Sequence, residues 1–264
     1  MIRPEPAGFL ELDGVQLEYR FTGPLPEAAP TLVLLHEGLG CAAQWGPLPE
    51  ALAAETGCGV LAYSRQGYGA SSPVRLPRRL DFLEREAEAV LPRVLDGIGF
   101  RRGLLIGHSD GASIAALALA GGDPRIRGGA LIAPHFFVEA ATLAGARRAR
   151  AAYEAGTLRE RLARRHADVE GAFRGWNEAW LDPDRSDWDI RSTLARCGVP
   201  LLILQGAEDA YGTRAQIEAA QAFCPRDCLS VRWLPGVGHE PQRQAFPDTL
   251  AALTGFIGTI LGRP

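Results

Sequence analysis

No lysine occurs in the sequence. All 28 basic residues are arginine, set against 31 acidic residues for a formal net charge of −3. There is no basic run and no basic stripe with interleaved aromatics, so the electrostatic footprint of a nucleic-acid-binding surface is missing. Long apolar runs are missing too. The longest, IAALALA, is far shorter than the roughly 20 residues that span a bilayer. The start, MIRPEPAGFLELDG, lacks a basic segment followed by an apolar core, so no signal peptide is expected. The protein is expected to be cytoplasmic, with no membrane partner and no nucleic-acid partner. Cysteines are few and odd in number: Cys41, Cys58, Cys197, Cys224 and Cys228. Scattered and without a leader, they read as reduced thiols. Cys224 and Cys228 lie four apart, but a proline follows the first and no histidine cluster is near, so no metal site is expected there. Internal repeats and low-complexity tracts are absent.

What is present is a 47% apolar share over 264 residues, ample for one core. FLELDGVQLEYRFTG alternates about a DG turn and predicts an opening β-hairpin. TLVLLHEG is a continuous apolar run, the mark of a strand covered on both faces. Similar strands are predicted in GVLAYSRQGYG, GLLIGHS, GGALIAP and VPLLILQGAED, with a last one in CLSVRWLP. Helices are predicted near 44–55, through RLDFLEREAEAVLPRVLDGIG with a kink at Pro92, in DGASIAALALAGG, near 213–223 and near 245–261. Residues 135 to about 195 contain no convincing strand and have helical spacing. Strand–helix alternation predicts a mostly parallel sheet covered on both faces. The middle segment is expected as a helical insertion above the C-terminal edge of the sheet, where open α/β sheets bind ligands.

Gly107-His108-Ser109-Asp110-Gly111 fits G-x-S-x-G between a predicted strand and a predicted helix. A serine on so sharp a turn has strained dihedrals, and side chains two positions away would collide, so glycines flank it. A hydroxyl is a poor nucleophile until a base takes its proton. LPGVGHEPQ places His239 just past the final strand, and LQGAEDAYG places Asp209 just past the strand before it. The chain order is Ser, Asp, His.

The sequence therefore resembles an α/β-hydrolase. The matching pieces are LLHEGLG, YSRQGYGASS, GHSDG, GAEDAYG and GVGHEPQ, and they span nearly the whole chain outside the insertion. The resemblance implies a mostly parallel eight-stranded sheet flanked by helices, with residues 1–134 and 196–264 as the core and 135–195 as a helical cap. It implies a capped, esterase-like serine hydrolase acting on a small-molecule carboxylic ester. Ser109 would be the nucleophile, His239 the base and Asp209 its orienting acid. The backbone N–H groups of Gly38 and Asp110 would form the oxyanion hole, worth roughly 3–4 kcal/mol per donor. No metal or cofactor is implied. The same triad would also serve a carbon–carbon hydrolase of a vinylogous diketone. A ligand-binding protein that had lost catalysis is the alternative from another class. The sequence carries no signal for an oligomeric state.

Two positions depart from the family pattern. Glu37 stands where the loop usually has glycine, and Asp110 where an apolar residue or glutamine is usual. A carboxylate ~6 Å from a developing oxyanion at an effective dielectric of ~20 would oppose it by about 3 kcal/mol, roughly a hundredfold in rate. These acids must turn away into hydrogen bonds, pair with a base such as Arg65, or face a cationic or hydroxyl-bearing part of the substrate. His36 is expected to hold the oxyanion loop, and His108 to pack beneath the elbow. His166 and Asp168, two apart on a helix, do not face each other, so they make no metal pair. Candidates for the substrate pocket are Glu37, Leu39, His135, Phe136, Trp176, Trp180 and Tyr211.

Overall fold

The computed structural model describes residues 2–262. The elements run β1 (Ala7–Leu12), β2 (Val15–Thr22), β3 (Thr31–Leu35), α1 (Leu48–Thr56), β4 (Gly59–Tyr63), α2 (Phe82–Arg85), a π turn (Glu86–Val90), α3 (Leu91–Gly97), β5 (Gly103–His108), α4 (Asp110–Ala120) and β6 (Ile126–Ile132). Three helices follow: α5 (Ala140–Glu154), α6 (Thr157–Ala163) and α7 (Val169–Leu181). The chain then returns through β7 (Leu201–Gly206), α8 (Arg214–Phe223), β8 (Leu229–Leu234), α9 (Pro241–Gln244) and α10 (Phe246–Leu261).

The eight strands form one sheet in the order β1-β2-β4-β3-β5-β6-β7-β8. The hairpin β1–β2 and the β2–β4 pair are antiparallel; every pairing from β4 to β8 is parallel. The DG turn has Asp13 at φ 50° and Gly14 at φ 78°, the doubly left-handed turn whose twist matches a hairpin. Residues of β3, β4, β5 and β7 are buried throughout, as their unbroken apolar runs require, whereas the edge strands β1 and β8 alternate.

The pleat divides the core in two. Leu32, Leu34, Val60, Leu104, Ile106 and Leu204 pack with Leu48, Leu52, Leu253 and Ile257 of α1 and α10. Val33, Leu35, Leu61, Leu105, Leu131 and Ile203 face the opposite way, onto residues of α2–α4 and α8 such as Leu83, Leu91, Ile114 and Ile217. Each fully buried leucine of this kind contributes about 1.5–3 kcal/mol.

The helix expected over 79–99 runs without a gap over 82–97, with its irregularity beside the expected proline. Pro92 lies in the first turn of α3 and lacks an N–H, so the regular ladder cannot run through it; the chain accommodates this with one wider turn just before. Between β6 and β7 the only β pairing among the described residues is an isolated bridge, Phe137 to Asp189. Strand order reverses between β3 and β5, since β4 lies on one side of β3 and β5 on the other. The crevice at that switch point is where open sheets of this kind place ligands.

Candidate active site

Ser109 sits between β5 and α4 with φ 53° and ψ −118°, a left-handed conformation for a residue with a side chain. The surroundings enforce it. A Cβ on Gly107 would lie 2.1 Å from the Gly111 carbonyl oxygen, and a Cβ on Gly111 would lie 1.9 Å from the Leu35 carbonyl oxygen. The turn is thus wedged against β3, and only glycine fits on either side of the serine. Ser109 N–H is anchored to the Ile132 carbonyl at 2.9 Å.

His239 and Asp209 come from the loops after β8 and β7. His239 Nε2 is 3.0 Å from Ser109 Oγ, and its Nδ1 is 2.9 Å from both carboxylate oxygens of Asp209. An ionised carboxylate only accepts, so Nδ1 carries the proton and Nε2 is left to accept from the serine hydroxyl. Burial pushes the Asp209 carboxyl up. Bonds from His239, the Tyr211 N–H (2.8 Å) and the Gln205 amide (2.8 Å) outweigh it and hold the group well below the usual carboxylate range. The loop carrying His239 is itself fixed: His108 Nε2–H donates to the His239 carbonyl at 2.7 Å, and Gly238 N–H donates to Gln244 Oε1 at 2.7 Å.

The N–H groups of Gly38 and Asp110 have no acceptor among the described residues. Asp110 opens α4, so its N–H also lies at the positive end of the helix dipole. The loop carrying Gly38 is held as a unit. His36 accepts the Arg65 N–H at 3.1 Å and donates to the Glu37 carbonyl at 2.7 Å. His166 accepts from Gly69 N–H at 2.9 Å and donates to the Leu39 carbonyl at 3.0 Å, a structural role with no bearing on metal. Among the described residues no group of three His, Cys, Asp or Glu side chains could hold a metal ion.

Both unusual acids are engaged, but not by Arg65. Arg65 spends its guanidinium on the carbonyls of His36 and Glu37. Asp110 instead accepts from Trp180 Nε1–H at 3.2 Å. Burial raises its carboxyl, against the pull of Arg65, Arg185 and that indole. Glu37 folds back over Gly40, where a Cβ would meet its carboxylate at 2.3 Å, and faces His108 Nδ1 at 3.6 Å. Burial works against both charges, yet the contact prevails: Glu37 is held below its ordinary value and His108 above. Sequence reasoning saw that the acids needed partners. Of the alternatives it offered, hydrogen bonding is the one Asp110 takes, but the named cation, Arg65, is not the partner, and the donors, an indole from the far segment and the elbow's own histidine, were not named.

A cavity of about 290 Å³ opens onto Ser109 and His239. Of the pocket candidates, Glu37, Leu39, His135, Trp176, Trp180 and Tyr211 line it, beside Gly38 and Asp110. Phe136 does not. It is fully buried in the core, its N–H held by Gln216 Oε1 at 2.7 Å and its carbonyl by Ile190 N–H at 2.7 Å. His135, its neighbour, points the other way, with its ring 5.7 Å from that of His239. Burial and the neighbouring His239 hold the His135 imidazole down to about 3, so it is neutral. The pyrrole edge of Trp176 lies over Gly38, where a Cβ would be 2.0 Å from its nitrogen. Residues not anticipated in the wall include Leu158, Arg161, Leu162 and Arg165. Their spacing of three, one and three residues marks one helical face, and was the signal available for them.

Comparison with known proteins agrees with this architecture. Residues 32–253 match the model of the "Alpha/beta hydrolase family". No curated protein matches the sequence. Among solved structures, a bacterial membrane phospholipase A superposes with TM-score 0.79 at 22% identity, covering 96% of this chain and 86% of that one. A carboxylesterase of Nitrososphaera gargenis gives 0.78 at 18%, covering 97% and 99%. An enol-lactonase of Burkholderia xenovorans gives 0.71 at 21%, covering 94% and 99%. With 222 consecutive residues (32 to 253) matching one family over an eight-stranded, mostly parallel sheet, the chain belongs to the alpha/beta hydrolase family.

Proposed function

We propose that the protein is a serine hydrolase acting on small-molecule carboxylic esters. The observation that carries this reading is the hydrogen-bonded line Ser109–His239–Asp209, set on a strained elbow and open to a cavity. Ser109 Oγ attacks the acyl carbon while its proton passes to His239 Nε2. Asp209 holds the ring in the needed tautomer and stabilises its charged form. The N–H groups of Gly38 and Asp110 receive the oxyanion. His239 then returns the proton to the departing alkoxide, leaving an acyl-Ser109 ester. A water molecule, deprotonated by the same nitrogen, releases the acid. The helical segment 135–195 serves as the cap: Trp176 and Trp180 of α7 lie in the cavity wall, and Trp180 also reaches the elbow. That solved relatives include carboxylesterases and an enol-lactonase supports ester chemistry on this scaffold.

The test is intact-mass labelling with a fluorophosphonate, on the wild type and on Ser109→Ala, followed by a panel of aryl esters. One adduct on the wild type, lost in the variant, is expected together with ester turnover. A folded wild type that takes no adduct and cleaves no ester would refute the proposal.

A further inference from the structure

The cavity wall is unevenly satisfied. Each of its carboxylates already faces a donor: Glu37 faces His108, Asp110 takes the Trp180 N–H, and Glu240 accepts from Arg243 at 2.9 Å. Asp209, behind His239, holds four donors. The donors are in a different state. Arg161 and Arg165 line the same cavity, and their guanidinium groups make no hydrogen bond or ion pair with any described residue. Among the described residues, Trp176 N–H has no acceptor, and the neutral His135 ring has no hydrogen-bond partner at either nitrogen. The Gln44 amide, also in the wall, has a buried unpartnered oxygen, but an amide serves as donor or acceptor according to its orientation. No unpaired anion remains in the wall, whereas two unpaired cations do.

The two cations are placed by one helical face. Leu158, Arg161, Leu162 and Arg165 follow each other at helical spacing along α6 and just past its end, and all four line the cavity. Leu158 and Leu162 are buried, whereas Arg161 and Arg165 are exposed. Arg161 stands on the side of Tyr211, whose ring lies 4.7 Å from that of His239; its charge is felt at the Tyr211 hydroxyl. The charge of Arg165 is felt at His166 and Cys41. Around Ser109 the wall thus combines apolar side chains (Leu39, Ala146, Leu162 and Trp176) with two guanidinium groups. Guanidinium matches carboxylate and phosphate in shape and charge.

We propose that the cavity selects esters bearing an anionic group, carboxylate or phosphate, separated from the scissile carbonyl by an apolar spacer, and that Arg161 and Arg165 hold that group. This rests on Ser109 being the nucleophile. The experiment compares kcat/KM for three phenyl esters of matched length: a hemiglutarate, a phosphonate-terminated analogue and uncharged valerate. It is run at low and high salt on the wild type and on the double variant Arg161→Gln, Arg165→Gln. The wild type is expected to favour the charged esters over valerate by roughly tenfold at low salt, the preference falling with ionic strength. The double variant is expected to lose most of that ratio. The better of the two charged esters tells carboxylate from phosphate. A wild type with no preference for either anion, or a double variant that keeps the full ratio, overturns the proposal. If no ester turns over and no fluorophosphonate adduct forms, the serine-hydrolase reading fails by itself. Glutarate binding by calorimetry then decides the anion site, which stands if the double variant loses binding and falls if both proteins bind alike or not at all.

Discussion

Trp180 donates its indole N–H to the Asp110 carboxylate at 3.2 Å, joining α7 to the first residue of the helix that follows Ser109. Trp180 itself lies against the buried Arg185 guanidinium, 4.7 Å from its ring, so a cation, an indole and a carboxylate stand in sequence. Trp180→Phe leaves the buried carboxylate without its hydrogen-bond donor. The expected loss is about 1–3 kcal/mol in urea unfolding. Asp110→Asn keeps an oxygen that accepts from the same indole and is expected to cost less. The double variant should then show a coupling of about 1 kcal/mol between the two positions; additive effects would mean that the bond contributes nothing.

The Glu37–His108 contact makes a pH prediction with two signs. His108 is held above its ordinary 6.5, so its contribution is complete below that value and disappears as pH rises through the elevated one. Glu37 is held below its ordinary 4.5, so its contribution is complete above that value and disappears as pH falls through the lowered one. The two overlap between about pH 5 and 6.5. Glu37→Gln should therefore be destabilised relative to wild type most at pH 5.5, with the gap narrowing by pH 9. Unfolding curves at the two pH values decide it. A gap that stays constant would show that the charges do not matter.

His135 titrates the other way. Burial and His239 hold it at about 3, against 6.5 in the unfolded chain. The unfolded state takes up a proton that the folded state refuses, so stability is full above 6.5 and falls as pH drops toward 3. At pH 5 the accumulated loss is about 2 kcal/mol. His135→Asn removes this titration. It should retain about 2 kcal/mol more of its own pH 7 stability at pH 5 than wild type does, measured by urea unfolding. Parallel acid losses in the two proteins would contradict the placement of His135.

The elbow glycines give a steric prediction. Gly111→Ala puts a Cβ 1.9 Å from a backbone oxygen of β3, which cannot move without unpairing that strand. A loss of at least about 3 kcal/mol is expected, along with loss of fluorophosphonate labelling. Gly198→Ala has open space around it and no positive φ, and should lie within about 1 kcal/mol of wild type. A Gly111→Ala protein of normal stability would mean the turn is looser than its geometry.

The strands were legible because burial on both faces leaves unbroken apolar runs such as LLIGH, and the elbow because its steric demand writes glycine at fixed offsets. Asp209 and His239 were legible because they stand in the loops just past β7, an unbroken apolar run, and β8, an alternating edge strand. Side-chain direction was less accessible. His135 and Phe136 are adjacent just past one strand end, yet one enters the cavity and the other the core. Gln216 of α8 and Ile190, which clamp the Phe136 backbone, lie 80 and 54 residues further along the chain. Arg161 and Arg165 were missed for a different reason. A face mixing leucine with arginine is what any half-exposed helix shows, and only the position of α6 over the cavity makes it part of the wall.

Ser109 and His239 are 130 residues apart in the chain, and β6 and β7 lie between the strands that carry them. A ribosome that has just completed the elbow adds those residues at about 5–20 per second, a delay of roughly 7–26 seconds. On the function proposed above, Ser109 has no base to activate it throughout that interval, and its reactivity begins only when the far edge of the sheet docks. Covalent labelling of Ser109 thus reports completed folding as well as chemistry, and a pulse of fluorophosphonate during translation would time the closing of the sheet.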